Sequence, residues 1–213
     1  MKTKDNNMSE LEELIAKGEG DRLDFKKTIT HLDKIARTLV SFANTRGGII
    51  LVGVMDNGKI SGIDPEEEKY SLHQAAQYYC DPPVKLFYKE EEHDNLTVLK
   101  VIIPESKQKP HLAKLKEDDW RGYVRVKDES VQTSKMVMQA LETESNIPAY
   151  VPASKIETAL LAYFQKQPRI TLNQFMHLAN ISKRRAQRIL VHLVLHGVIR
   201  LHDKEKDSYY TLS

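Results

Sequence analysis

A chain of 213 residues, 40% hydrophobic and 29% charged, is long enough to bury a core in one domain or two. Its longest apolar run, residues 49–52 with 53–55 extending it, falls far short of the roughly 20 residues that cross a bilayer. A single cysteine, Cys80, excludes an intrachain disulfide and a cysteine-based zinc site and is expected to be an inert thiol.

The start, "MKTKDNNMSELEELIAKG", lacks the apolar centre of a secretory signal, so a cytoplasmic protein with no membrane partner is expected. The formal net charge of +2 conceals an asymmetry. From Val151 onward there are ten Lys and Arg against four Asp and Glu, a net of +6, while the preceding 150 residues carry 22 against 26, a net of −4. Pro148 and Pro152 in "TESNIPAYVPAS" mark a linker, residues 146–153, between a domain at 1–145 and a basic one at 154–213.

In chain order, Ser9 and Glu12 form a capping box ahead of Leu11, Leu14 and Ile15, and Gly18 closes that short helix. "RLDFK" alternates, predicting a strand with Asp24 and Lys26 on one polar face. Leu32, Ile35, Ala36, Leu39, Val40 and Ala43 then recur at helical spacing after a cap at Thr30, predicting a helix that ends near Asn44. "GGIILVGVM" reads as a buried strand, and Asn57-Gly58 as a two-residue hairpin turn with "KISGI" returning.

Gly53 and Gly58-Lys59 approach the spacing of a phosphate loop, the one hint of nucleotide-dependent regulation. Such a loop leads from a strand into a helix and has Ser or Thr after the lysine. Ile60 follows Lys59, and the context is a hairpin, so the match fails. Beyond it, Asp64-Pro65 opens a helix that Asp81-Pro82-Pro83 ends. Strands are predicted at "VKLFYKE" and "LTVLKVIIP", joined by the turn "EEHDN", and at "HLAKL" and "GYVRV". A helix over residues 134–144 completes a mixed α/β sheet domain.

The tail predicts three helices and two strands. Ser154 and Glu157 cap the first helix, which carries Ile156, Leu160, Leu161 and Phe164; Leu172, Phe175 and Leu178 mark the second. In "KRRAQRILVHLVLHG", Ile189, Leu190, Leu193 and Val194 face the core while Lys183, Arg184, Arg185 and Arg188 gather at the helix start. "VIRL" and "YYTL" flank the loop "HDKEKDS", and one ring of Tyr209-Tyr210 enters the core. His177, His192, His196 and His202 have no clear metal-ligand spacing.

"GEGDRLDFKK", "VSFANTRGGIILVGVMDNGKISGI", "KPHLAKL" and "GYVRVKDES" resemble successive motifs of the Schlafen AlbA_2 family, over about residues 15 to 145. The resemblance implies an Alba-like α/β (α+β) nucleic-acid-binding fold, often joined to a helix-turn-helix module, and the tail resembles a small winged-helix domain. It also implies an alternative, since the vertebrate Schlafens of this family cleave RNA through three acidic residues. Carried over, these fall at Glu19, Asp24 and Asp56, where a converging trio would hold Mg²⁺ or Mn²⁺ and activate water. The family usually has Glu in its "EFK" motif, where this chain has the shorter Asp24.

Structural readings stand beside these. Glu19 can cap its turn, Asp24 can pair with Lys26 or Arg22 on an exposed strand face, and Asp56 can begin the hairpin turn. Lys26, Lys27, Arg46 and Arg125 are candidate phosphate contacts in the first domain or solvated charges. In the tail, Lys183, Arg184, Arg185 and Arg188 are candidate contacts to DNA from a recognition helix, or a solvated face. The leading expectation is a DNA-binding transcriptional regulator, with DNA favoured over RNA, a homodimer on a palindromic site, and no cofactor unless the nuclease reading brings Mg²⁺ or Mn²⁺.

Overall fold

The structure is a computed structural model that describes residues 8–133, 135–143, 155–202 and 208–213. Helix α1 (Glu10–Lys17) begins with the expected capping box: Ser9 N–H donates to Glu12 at 2.7 Å, and Glu12 N–H donates to Ser9 Oγ at 3.2 Å. Strand β1 (Leu23–Lys26) follows, but Asp24 is buried rather than displayed on a polar face. Helix α2 (Leu32–Asn44) is capped by His31, not Thr30, and no side-chain hydrogen bond supports that end. Packing holds it instead, because Leu39, Val40 and Phe42 are fully buried. Each large apolar side chain so enclosed contributes about 1.5–3 kcal/mol.

The two glycines after α2 fit a tight passage into β2 (Gly48–Val52). Gly47 has φ +68°, and a Cβ there would stand 2.6 Å from the Ile103 carbonyl oxygen; one on Gly48 would meet the Phe42 ring at 2.4 Å. Beyond β2 the expected hairpin is only a bridge, Val54 with Ile60. Gly58 has a positive φ but Asn57 does not; Asn57 instead accepts a hydrogen bond from Lys59 N–H through its side chain, at 3.0 Å. Gly58-Lys59 therefore sits in a returning turn and not at a helix start.

Helix α3 (Pro65–Tyr78), capped by Asp64, leads into β3 (Cys80–Asp81), β4 (Phe87–His93) and β5 (Leu96–Ile103). The β4–β5 turn is shorter than "EEHDN": Asp94 and Asn95 alone, at φ +48° and +62°, make it, and Glu91 to His93 belong to the strand. Then come β6 (Leu112–Lys116), β7 (Asp119–Val126), β8 (Glu129–Gln132) and α4 (Lys135–Thr143). One sheet has the order β1-β2-β5-β4, parallel at β1–β2 and antiparallel elsewhere; a second, antiparallel throughout, runs β3-β6-β7-β8. A single apolar cluster joins α2 and α3 to both, through Ile50, Val52, Leu99 and Val101 of the first sheet and Ala113 and Tyr123 of the second. Cys80 is buried in it, and burial pushes its thiol up to about 12.

The remaining elements are α5 (Lys155–Phe164), β9 (Ile170–Thr171), α6 (Leu172–Ala179), α7 (Lys183–Leu195), β10 (Ile199–His202) and β11 (Tyr209–Leu212). Leu160, Phe175, Leu190 and Leu193 pack together with Ile199 and Tyr210, whereas Leu178, one of the three residues that marked the second helix of the tail, is 42% exposed. Strand β9, too short to read from the sequence, pairs with β11 to give the order β10-β11-β9. The expected linker at 146–153, the cap at Ser154 and most of the loop between β10 and β11 lie outside the described residues. The later half of α7 meets the second sheet: Val191 and Leu195 share a cluster with Val124 of β7 and Val137 and Leu141 of α4. The whole is a mixed α+β fold, and among the described residues no helix is long and apolar enough to cross a membrane.

Candidate nucleic-acid interface

The residues expected to touch nucleic acid or metal divide into a buried set and an exposed set. Arg125, expected as a phosphate contact, is 2% exposed and lies inside the protein. Its guanidinium donates to Asp24 Oδ1 at 2.9 Å, to Leu23 O at 3.2 Å and to Gly20 O at 3.1 Å, and its Cζ stands 4.7 Å from the centre of the Phe42 ring. The other Asp24 oxygen lies 2.5 Å from Lys26 Nζ, an ion pair out of line for a hydrogen bond. Alternation placed Asp24 outward, but β7 brings a cation over that face of β1, and the pair is enclosed together.

The same region explains the "FANT" stretch. Asn44 donates to the carbonyls of His111 and Tyr123 at 2.8 and 2.9 Å and accepts from His111 N–H at 2.7 Å. Thr45 Oγ1 donates to Ser41 O and accepts from Arg125 N–H. Lys109, buried as well, donates to Thr45 O at 3.0 Å. His111 spans Pro82 O and Ser106 Oγ, both at 2.7 Å, and burial pushes its imidazole below the ordinary histidine range. These polar groups are engaged with one another and fasten α2 to the second sheet.

The three acids of the nuclease alternative hold different partners. Glu19 accepts from Phe25 N–H at 2.8 Å, Asp24 pairs with Arg125, and Asp56 is exposed in the turn after β2. Among the described residues no group of three or more His, Cys, Asp or Glu is arranged to hold a metal ion. Lys26 is tied to Asp24, whereas Lys27, exposed, and Arg46, half-buried, make no ion pair among the described residues.

The exposed set lies on α7. Ser182 caps it, accepting from Arg185 N–H at 3.4 Å, and Asn180 in the left-handed conformation ends α6 just before. Ala186, Leu190 and Leu193 turn one side of α7 inward. Lys183, Arg184, Arg185 and Arg188 are all exposed, with Arg184 and Arg188 one turn apart opposite that buried side. Lys183, Arg184 and Arg185 make no ion pair among the described residues. Their position opposes the positive end of the helix dipole, at a cost of about 0.3–1 kcal/mol for each cation in the first turn, and nothing described within the chain offsets it.

Two further cations of this region were not among the expected contacts. Arg169, just before β9, sits 5.3 Å from the centre of the Tyr209 ring, and Tyr209 stacks on His202 with centroids 4.7 Å apart. Arg200 of β10 is exposed and 3.7 Å from Glu129 of β8. Alternation in "VIRL" is the signal that could have found Arg200; Arg169 had no local signal, because β9 is only two residues long. His192 and His196 also approach, centroids 4.2 Å apart, with His196 Nδ1 against the His192 carbonyl at 2.7 Å.

A mixed α+β protein with a basic helix start on its surface is the class these features define. The chain belongs to the Schlafen AlbA_2 family, whose model matches residues 19–134, more than half of its length. Among solved structures it is similar to the DIP2311 protein from Corynebacterium diphtheriae, with 19% identity and a TM-score of 0.46 over 83% of this chain and 35% of that one. It is also similar to the N-terminal domain of a Nitrosomonas europaea protein related to the ATP-dependent DNA helicase RecG, with 19% identity and a TM-score of 0.43, covering 70% of this chain and 97% of that one. The chain thus spans about a third of the length of the Corynebacterium protein. No curated protein matches it.

Proposed function

We propose that this chain is a nucleic-acid-binding protein that acts on duplex DNA as a transcriptional regulator. Its AlbA_2 region, residues 1–145, is followed by a winged helix-turn-helix domain at 154–213, in which α7 is the recognition helix and β10 and β11 form the wing. Family membership supports nucleic-acid binding in general. The observation that carries the finer reading is the exposed start of α7, where Lys183, Arg184 and Arg185 stand without internal counter-charges among the described residues. In helix-turn-helix docking this end of the helix enters the major groove, where arginine bonds bidentately to guanine and lysine neutralises phosphate. A homodimer would place two such helices on a palindromic site, each raising the effective concentration of the other.

Fluorescence anisotropy with duplex DNA at increasing salt tests this reading. Affinity falls steeply with salt, and Arg184→Ala weakens binding by about 1–3 kcal/mol with loss of sequence preference. An Arg184→Ala protein that binds duplex as tightly as the parent removes α7 from the interface.

A further inference from the structure

Strand β7 presents its two faces to different neighbours. Tyr123 belongs to the cluster around α2 and Arg125 reaches Phe42, so the alternate residues Trp120, Gly122, Val124 and Val126 lie on the opposite face. At Val124 that face is covered by α4 and α7. Toward Trp120 it opens into a groove of about 540 Å³, lined among others by Pro110, Leu112, Trp120, Gly122, Thr133 and Gln139. This is within the size range of small-ligand sites.

Two features of the groove and a lysine beside it point to one kind of occupant. Trp120, the only tryptophan of the chain, is 36% exposed on its wall, an aromatic surface left in water. Lys114, directly opposite on β6, holds its Nζ 5.9 Å from the indole centre and makes no ion pair among the described residues. Thr133, fixed by its N–H to Gly122 O at 2.9 Å, keeps its side-chain hydroxyl buried without a hydrogen-bond partner. Thr133 lines the groove, and its unsatisfied hydroxyl has both a donor and an acceptor to offer. Arg121, bonded through two nitrogens to Asp119, is already neutralised, so Lys114 is the available cation.

We propose that this groove takes an unpaired base of a single-stranded nucleic acid, stacked on Trp120, with its phosphate at Lys114 and its edge read by Thr133. The proposal rests on the nucleic-acid-binding reading above and adds a second site, remote in role from α7. An indole face accepts any base, because every base has a π-face, while a base inside a duplex has both faces covered by its neighbours. A flanking lysine supplies the phosphate contact that favours a nucleotide over a neutral aromatic molecule.

Fluorescence of the single tryptophan reports this groove alone. The full chain is titrated with a short oligothymidine strand and, separately, with duplex DNA of equal length. The strand is expected to quench the fluorescence, and Trp120→Ala to weaken strand binding, followed by anisotropy, by about fivefold or more, with Trp120→Phe retaining most of it. Thr133→Val, which puts a methyl where the unpartnered hydroxyl was, weakens strand binding without lowering Tm.

Unaltered fluorescence at saturation, or a Trp120→Ala protein that binds the strand as tightly as the parent, overturns the proposal. Duplex binding alone, with no fluorescence change, overturns the groove and leaves the α7 reading standing; binding of neither nucleic acid removes both. Quenching that follows protein concentration without any strand identifies a second copy in the groove and also overturns it.

Discussion

Asp24 and Arg125 are 101 residues apart in sequence and 2.9 Å apart in space, both nearly sealed from solvent. The pair ties β1 to β7 and thereby the first sheet to the second. Removing one member of a buried pair leaves an uncompensated charge, so Arg125→Met is expected to destabilise the protein by about 3–5 kcal/mol, read from the urea midpoint. Asp24→Leu in the same chain should recover a large part of that loss. A single variant as stable as the parent would show that the pair does not hold the sheets together.

Asn44 makes its case through hydrogen bonds alone. Its amide serves two carbonyls and one N–H on segments 67 and 79 residues away. Asn44→Ala leaves these buried groups without partners and is expected to cost about 3 kcal/mol or more. Asn44→Asp keeps the acceptor but loses the donor, and should be damaging too. Urea unfolding of both variants checks this.

His111 gives the stability a pH dependence of definite sign. Burial holds its folded-state pKa below the ordinary 6.5, so it is neutral in the native protein while the unfolded chain takes up a proton more readily. Its contribution is fully present above about pH 6.5 and is lost as pH falls from there through the depressed folded value. Urea midpoints measured from about pH 8 down to 5 should fall through this window, and His111→Gln should flatten that part of the curve. An identical slope in the variant would assign the effect elsewhere.

Leu195 lies at the end of α7, in the cluster that includes Val124 of β7. Leu195→Ala is expected to cost about 2–5 kcal/mol, because the cavity it leaves is only partly filled by relaxation. Since α7 is packed on the second sheet, tryptophan fluorescence from Trp120 and helical circular dichroism should report one shared unfolding transition. Two separated transitions would show that α7 is held by its own cluster alone.

The start of α7 has a local determinant as well. Ser182→Ala removes the cap on Arg185 N–H and is expected to lower stability by about 1 kcal/mol, with duplex affinity falling less than for Arg184→Ala. Thermal unfolding and anisotropy measured on the same samples separate the two effects.

Features governed by short-range rules were legible along the chain. The capping box at Ser9 and Glu12, the helical spacing through α2, and the basic start of α7 with its inward-facing Leu190 and Leu193 depend on neighbours a few residues apart. The family was legible too, because "FANTRGG" is a contiguous motif. Where the charged residues sit depends on long-range contacts: Arg125, Arg184 and Arg185 are the same residue type, yet the first is buried against Asp24 and the other two are exposed on α7. Alternation along β1 assigned Asp24 to a polar face, but that face is closed by a strand a hundred residues later. Whether an arginine is a surface contact or a buried tie depends on which distant partner folds over it, and a strand's own period of two cannot carry that information. The same reason hid β9, a two-residue strand that exists only through its pairing with β11, and the groove at Trp120, which opens where α4 and α7 leave part of one sheet face uncovered.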